Sequence, residues 1–146
     1  MGLIVKNHIL SFRTEKGIEL IDITEKVEEL VKSSGVKEGM CIVSAPHATA
    51  SIVLNENETG LIEDLKELIE ELFPRNGKYR HNLIDDNASA HLASSFLGSS
   101  KVIPISGGKL LRGTWQNILF LELDGPRSRR EAVITIMGVN DDRENE

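Results

Sequence analysis

The stretch TGLIEDLKELIEELFP, residues 59–74, constrains the fold more than any other part of the chain. Leu61, Ile62, Leu65, Leu68, Ile69, Leu72 and Phe73 recur on one stripe at helical spacing, and Pro74 ends the pattern. On both sides the period changes to that of β-structure. Upstream, IVKNHILSF, the turn EKG and IELIDI read as a hairpin, followed by a helix over EKVEELVKSSG that Thr24 can cap and Gly35 ends. GMCIVSAP and ATASIVLNE are β-rich runs separated by the Pro46–His47 bend. Downstream, ASAHLASSFLG reads as a further helix closed by Gly98. KVIPI, KLLRGTWQNILFLELDG and RREAVITIMGV then supply three or more strands. Strands, then helices, then strands again predict an α+β fold: one domain over residues 1–146, a largely antiparallel sheet packed with two or three helices. The acidic tail, residues 140–146, is expected to fray.

Length agrees with one domain, since 146 residues can enclose a core. Aromatics make up only 4%, so that core must be mostly Ile, Leu and Val. A net charge of −6 argues against general nucleic-acid binding. Cys41 is the only cysteine and can form no intrachain disulfide. The N-terminus lacks the apolar run of a signal peptide and no segment is long enough to span a bilayer, so a cytoplasmic protein without membrane contact is expected.

Polar chemistry concentrates in HNLIDDNASAH, residues 81–91. Asp86 or Asn87 can cap the helix that starts near Ala88, but capping leaves His81, Asp85 and His91 unexplained. A loop folding back on a helix start can gather imidazole and carboxylate around a divalent metal, or use a carboxylate to fix a histidine tautomer for proton transfer. In SAPHATASIVLNENE, strand alternation would direct His47, Thr49 and Ser51 to one face, and the small neighbours leave room for a pocket. Ser99, Ser100 and Ser106-Gly107-Gly108 lie in turns that suit phosphate oxygens or simple hairpins equally well. Trp115 is either a core residue or a wall for a heteroaromatic ligand. In ELDGPRSRR, the turn Asp124-Gly125-Pro126 leads into Arg127, Arg129 and Arg130, which suit an anion site or pairing with surplus carboxylates.

HATASIVLNENE, HNLIDDNASAHLASSFLGSS, IPISGGKLLRGTWQNILFLELDGPR and AVITIMG, in this order, resemble the YjbQ family, also described as secondary thiamine-phosphate synthases. The resemblance runs from about Ile18 to Gly138, and GTWQ followed by DGPR is its most specific part. Two positions depart from the pattern: Arg112 precedes GTWQ where an apolar residue is usual, and Asp86 precedes Asn87 where glycine is common. The resemblance implies a homotrimer with polar sites near subunit boundaries. It also implies a weak transferase that joins a hydroxymethylpyrimidine diphosphate to a thiazole phosphate and releases pyrophosphate. Carried over, His81, His47 and Glu122 would be catalytic, and Asn55, Asn87, Trp115 and Arg127 would bind substrate. A divalent metal, magnesium or zinc, would be held by His47, His81, Asp85 and His91. The same histidines also suit a metal-dependent phosphoester hydrolase. A trimeric, non-catalytic binder of a phosphorylated metabolite is the third reading. His81 and His91 are expected to approach one another, with His47 opposite.

Overall fold

The computed structural model describes residues 2–141 and contains two antiparallel sheets and three α-helices. The first sheet has the order β1-β8-β3-β5-β6, from β1 (Ile4–Thr14), β8 (Arg127–Val139), β3 (Glu38–Ser44), β5 (Ser100–Ser106) and β6 (Lys109–Leu110). The second has the order β2-β7-β4, from β2 (Glu19–Asp22), β7 (Asn117–Glu122) and β4 (Ala50–Asn55). Helices α1 (Thr24–Ser34), α2 (Thr59–Leu72) and α3 (Ala88–Leu97) complete the α+β domain. Most of the tail expected to fray, residues 142–146, lies outside the described residues.

β7 explains the layering. Its residues alternate between two faces, and both faces are covered. Ile118 and Phe120 pack into a core with Val27 of α1, Val43, Ile103, Ile134 and Ile136 of the first sheet. Leu121, with Leu123 just beyond the strand, packs against Ile69 of α2 and Ala90 and Ala93 of α3. A strand buried on both sides has no need of polar alternation, which is why NILFLE reads as one apolar run.

The predicted hairpin of the first two strands does not form. β1 pairs along its length with β8, whereas β2 pairs with β7, so the EKG turn carries the chain from one sheet to the other. The turn is tied to the 124–126 turn instead, with Gly125 N–H donating to the Gly17 carbonyl at 3.0 Å. Nor does Thr24 cap α1. It is the first helical residue, and Asp22 Oδ1 accepts from its N–H at 2.9 Å. Thr24 Oγ1 in turn accepts from Ile118 N–H at 2.8 Å, joining the helix start to β7.

The small residues of ATASIV leave no pocket. Ala50 and Ser51 are fully buried, and α3 lies directly on them. Ser94 Oγ donates to the Ala50 carbonyl at 2.8 Å, and Ser51 Oγ donates to the Gly98 carbonyl. Small side chains here let a helix approach a strand closely enough to bond its backbone.

Candidate active site at one end of the sandwich

Where β7 turns into β8, a buried ion pair joins the two sheets. Glu122 is fully buried and Arg130 nearly so. Glu122 Oε1 accepts from Thr14 Oγ1 at 2.7 Å and from Arg130 Nε at 2.9 Å. Its Oε2 accepts from a second arginine nitrogen and from Asp124 N–H at 3.1 Å. Arg130 also donates to Thr49 Oγ1 and to the Thr49 carbonyl. Burial alone would raise the Glu122 pKa, but the bonds from Arg130, Thr14 and the Asp124 N–H together hold it below the usual carboxylate value. With four donors on two oxygens and no exposed surface, Glu122 has no lone pair to offer a substrate. Expected as a catalytic group, it is bonded on both oxygens to protein donors.

His47 takes its place from the edge of the same ladder. β3 leaves the first sheet after Ser44, which pairs with Val133, and so abandons the next inward-pointing N–H of β8. That N–H belongs to Glu131 and donates to His47 Nε2 at 3.0 Å. The imidazole therefore replaces a missing strand partner. Residues 45–49 form a bend and turn, so the strand face expected to carry His47, Thr49 and Ser51 together does not exist. Desolvation first, and then the positive charge of Arg130, lower the His47 pKa against the opposing pull of Glu131 and Glu122. His47 is thus neutral, with Nε2 occupied as an acceptor and the proton on Nδ1. It can donate from Nδ1, and it cannot serve as a base without losing its backbone partner.

His81 has the opposite arrangement. The α3 N-cap position is Asn87, but its side chain caps nothing, because Asn82 Oδ1 accepts the Ala88 N–H at 3.2 Å. Asn87 is thereby free to bridge. Its Nδ2 donates to Asp124 Oδ2 at 2.9 Å, and its Oδ1 faces His81 Nε2 at 3.2 Å. Because the carboxylate can only accept, it fixes the amide orientation, and the amide oxygen then requires the proton on His81 Nε2. The Nδ1 lone pair of His81 is left available. His91 lies edge-on to His81 with ring centroids 4.7 Å apart, as expected from the sequence. Asp124 is clamped from two sides: Arg127 donates to its Oδ2 at 2.7 Å, and Arg75 stands 3.7 Å from Oδ1.

Other expected groups lie elsewhere. Among the described residues no three His, Cys, Asp or Glu side chains are arranged to hold a metal ion, so His47, His81, Asp85 and His91 do not surround one point within this chain. Asp85 Oδ1 accepts from Asp86 N–H in its own turn. His47 packs edge-on to Phe120 with ring centroids 6.3 Å apart, in the Arg130 network. Asn55 pairs with Asn117 and Ala50 with Glu122, so five residue steps separate Asn55 from the Glu122 end of β4, about 17 Å along an extended strand. Trp115 belongs to the Asn55 end and is 70% exposed, which removes it from the core. All three arginines of ELDGPRSRR pair with carboxylates: Arg127 with Asp124, Arg129 with Glu131 and Arg130 with Glu122. The sequence reading missed Asp124, Asn82, Thr14 and Arg75. Asp124 carried a signal, a carboxylate in a turn directly before an arginine cluster.

Comparison with known proteins gives one consistent answer. A family model described as "UPF0047 protein YjbQ-like" matches residues 8–139. A UPF0047 protein of Archaeoglobus fulgidus is 49% identical, covering 85% of this chain and 96% of that protein. The UPF0047 protein YugU of Bacillus subtilis is 37% identical, covering 88% and 97%. A crystal structure of a YbjQ-like protein of unknown function from Sulfolobus solfataricus P2 superposes with a TM-score of 0.93 at 47% identity, covering 94% of this chain and all of that one.

Proposed function

The chain belongs to the YjbQ-like UPF0047 family, and on that footing we propose that it is a slow transferase that joins a hydroxymethylpyrimidine diphosphate to a thiazole phosphate. The bond from the pyrimidine methylene to the diphosphate oxygen breaks, the thiazole nitrogen takes its place on carbon, and pyrophosphate leaves. The observation that carries this reading is the Asp124–Asn87–His81 relay, which presents a free imidazole lone pair beside Arg127. His81 Nδ1 accepts a hydrogen bond from the pyrimidine amino group while positive charge builds on the ring, and Arg127 draws the leaving pyrophosphate. His47 acts as an Nδ1–H donor to a substrate oxygen. Glu122 and Arg130 hold both arms in place.

In a metal-loaded form His81 Nδ1 would instead join His91 as a nitrogen donor, a set suited to zinc and poor for magnesium, which prefers oxygen. Such an ion would supply Lewis-acid stabilisation of charge on the departing group. Asn55 and Trp115, at the far end of β4, join the site through assembly with other copies. Support for assembly comes from the outer face of the first sheet. There Val5, Ile9, Met40 and Val102 stay exposed on the face that also carries Met137 and Ile42, a largely apolar surface that a homotrimer would cover.

Purified protein incubated with both substrates and a divalent ion tests the proposal, with thiamine phosphate followed by chromatography and simple phosphoesters run in parallel. The expected result is slow coupled product, reduced about a hundredfold or more in His81→Ala and in His91→Ala. Phosphate release without coupled product would replace this reading by the hydrolase. Neither reaction, with saturable ligand binding weakened in Arg127→Ala, would replace it by the metabolite binder.

A further inference from the structure

Behind the His81 relay lies a cavity of about 800 Å³, between the end of α2, the β1–β2 turn and the entry to α3. Its floor is apolar, formed by Ile18, Phe73 and Leu123. Three cations converge on it: Lys16, Lys66 and Arg75. Two of these are loosely held. Lys66 keeps only 19% of its side chain exposed, yet its ammonium stands 3.8 Å from Glu63, beyond hydrogen-bond reach. Arg75 stands 3.7 Å from Asp124 Oδ1, also beyond it. Glu70 and Asp86 line the same cavity, so its balance is one net positive charge. That balance suits a single oxyanion head, a carboxylate or a phosphate monoester, and disfavours the larger charge of a diphosphate.

We infer that this cavity is a binding site for a small molecule with an apolar, aromatic-sized body and one oxyanion head, a carboxylate or phosphate monoester, and that its occupancy is felt at His81 through Arg75. The volume lies within the usual range for small-molecule sites, and an apolar floor with a few convergent polar groups is their usual construction. The body would lie on Phe73 and Leu123, and the head would take hydrogen bonds from Lys66 and Arg75. The coupling follows from Asp124. One oxygen faces Arg75, while the other holds Asn87 and Arg127. An anion that draws Arg75 away leaves Asp124 to pull harder on Asn87, whose oxygen faces His81. This site is separate from the one proposed for transfer, because Arg127 and His81 do not line it.

Nuclear magnetic resonance titration of the full-length protein tests the inference. Phenyl phosphate and benzoate serve as probes, with benzyl alcohol as the uncharged control and inorganic phosphate as the headgroup alone. Both aromatic anions should saturate, shifting the backbone amides of Ile18, Phe73 and Leu123, while benzyl alcohol and inorganic phosphate bind at least tenfold more weakly. Lys66→Gln and Arg75→Gln should each weaken binding tenfold or more, and Arg129→Gln, an equal charge loss outside the cavity, should not. His81 imidazole signals should move on binding in the wild type and stay still in Arg75→Gln. Absence of saturation up to about 10 mM would overturn the site. So would equal binding of benzyl alcohol, or an Arg129→Gln effect as large as that of Arg75→Gln. Saturation with motionless His81 signals would overturn the coupling. None of these outcomes depends on whether thiamine phosphate is formed.

Discussion

Asn87 stands at an N-cap position and leaves the capping to Asn82, which frees its amide for Asp124 and His81. If Asn87 only stabilised the start of α3, Asn87→Ala would lower stability and leave reactivity alone. Here it orients His81, so Asn87→Ala should cost about 10–100-fold in coupled product with little change in melting temperature. Glu122 and Arg130 should behave in the opposite way. Arg130→Met leaves a carboxylate buried without its ion partner and should destabilise by about 3–5 kcal/mol, measured by urea denaturation. The pKa of Glu122 is lowered in the folded state, so its stabilisation is complete above the unfolded value of about 4.3 and lost as pH falls through the folded value. Melting temperature should therefore drop in acid below about pH 4, with a shallower slope in Glu122→Gln. His47 adds a second acid loss. Its lowered pKa means that the unfolded chain takes up a proton first, so stability declines as pH falls below about 6.5, and His47→Ala should remove that component. The proximity of His81 and His91 was legible because ten positions of one loop and helix separate them. Asp124 was not, since 37 positions separate it from Asn87 and only the fold brings them together.

Among the elements, those set by local pattern were legible and those set by partnership were not. The stripe of α2 and the terminating Pro74 gave a helix at Thr59–Leu72. β1 and β2 were also recognisable as strands, yet their pairing was wrong, because a short turn suits a hairpin and nothing local announces β8 or β7 as the true partner. Gly125 shows what the actual connection requires. A Cβ there would meet the Lys16 carbonyl at 2.1 Å, a backbone clash that cannot be relieved by side-chain motion. Gly125→Ala should therefore destabilise by about 1–3 kcal/mol or more, read from the denaturation midpoint, and should displace Asp124 beside it.

For the whole molecule, the fold class could be read from the order of elements, and the uncovered face could not. Val5, Ile9, Met40 and Val102 look like ordinary core residues in sequence, yet all are exposed in the single chain. Assembly through this face predicts the mass of three chains by light scattering at micromolar concentration. Val102→Lys, which places a charge on that face, should shift that mass toward one chain. The two ends of the sandwich carry the other consequence of scale. In the proposed trimer Asn55 and Trp115 of one copy would complete the histidine relay of another, so the monomeric variant should lose coupled product while keeping its fold.

Two histidines are held in opposite tautomers by two different partners, the Glu131 N–H for His47 and the Asn87 amide oxygen for His81. Long-range proton–nitrogen correlation spectra of protein labelled with nitrogen-15 histidine, taken near pH 7.5, read this directly. His81 should carry its proton on Nε2 with an unprotonated Nδ1, and His47 should carry its proton on Nδ1 with Nε2 acting as acceptor. A His81 protonated on Nδ1, or averaging between tautomers as a free imidazole does, would contradict the relay and with it the role given to HNLIDDNASAH.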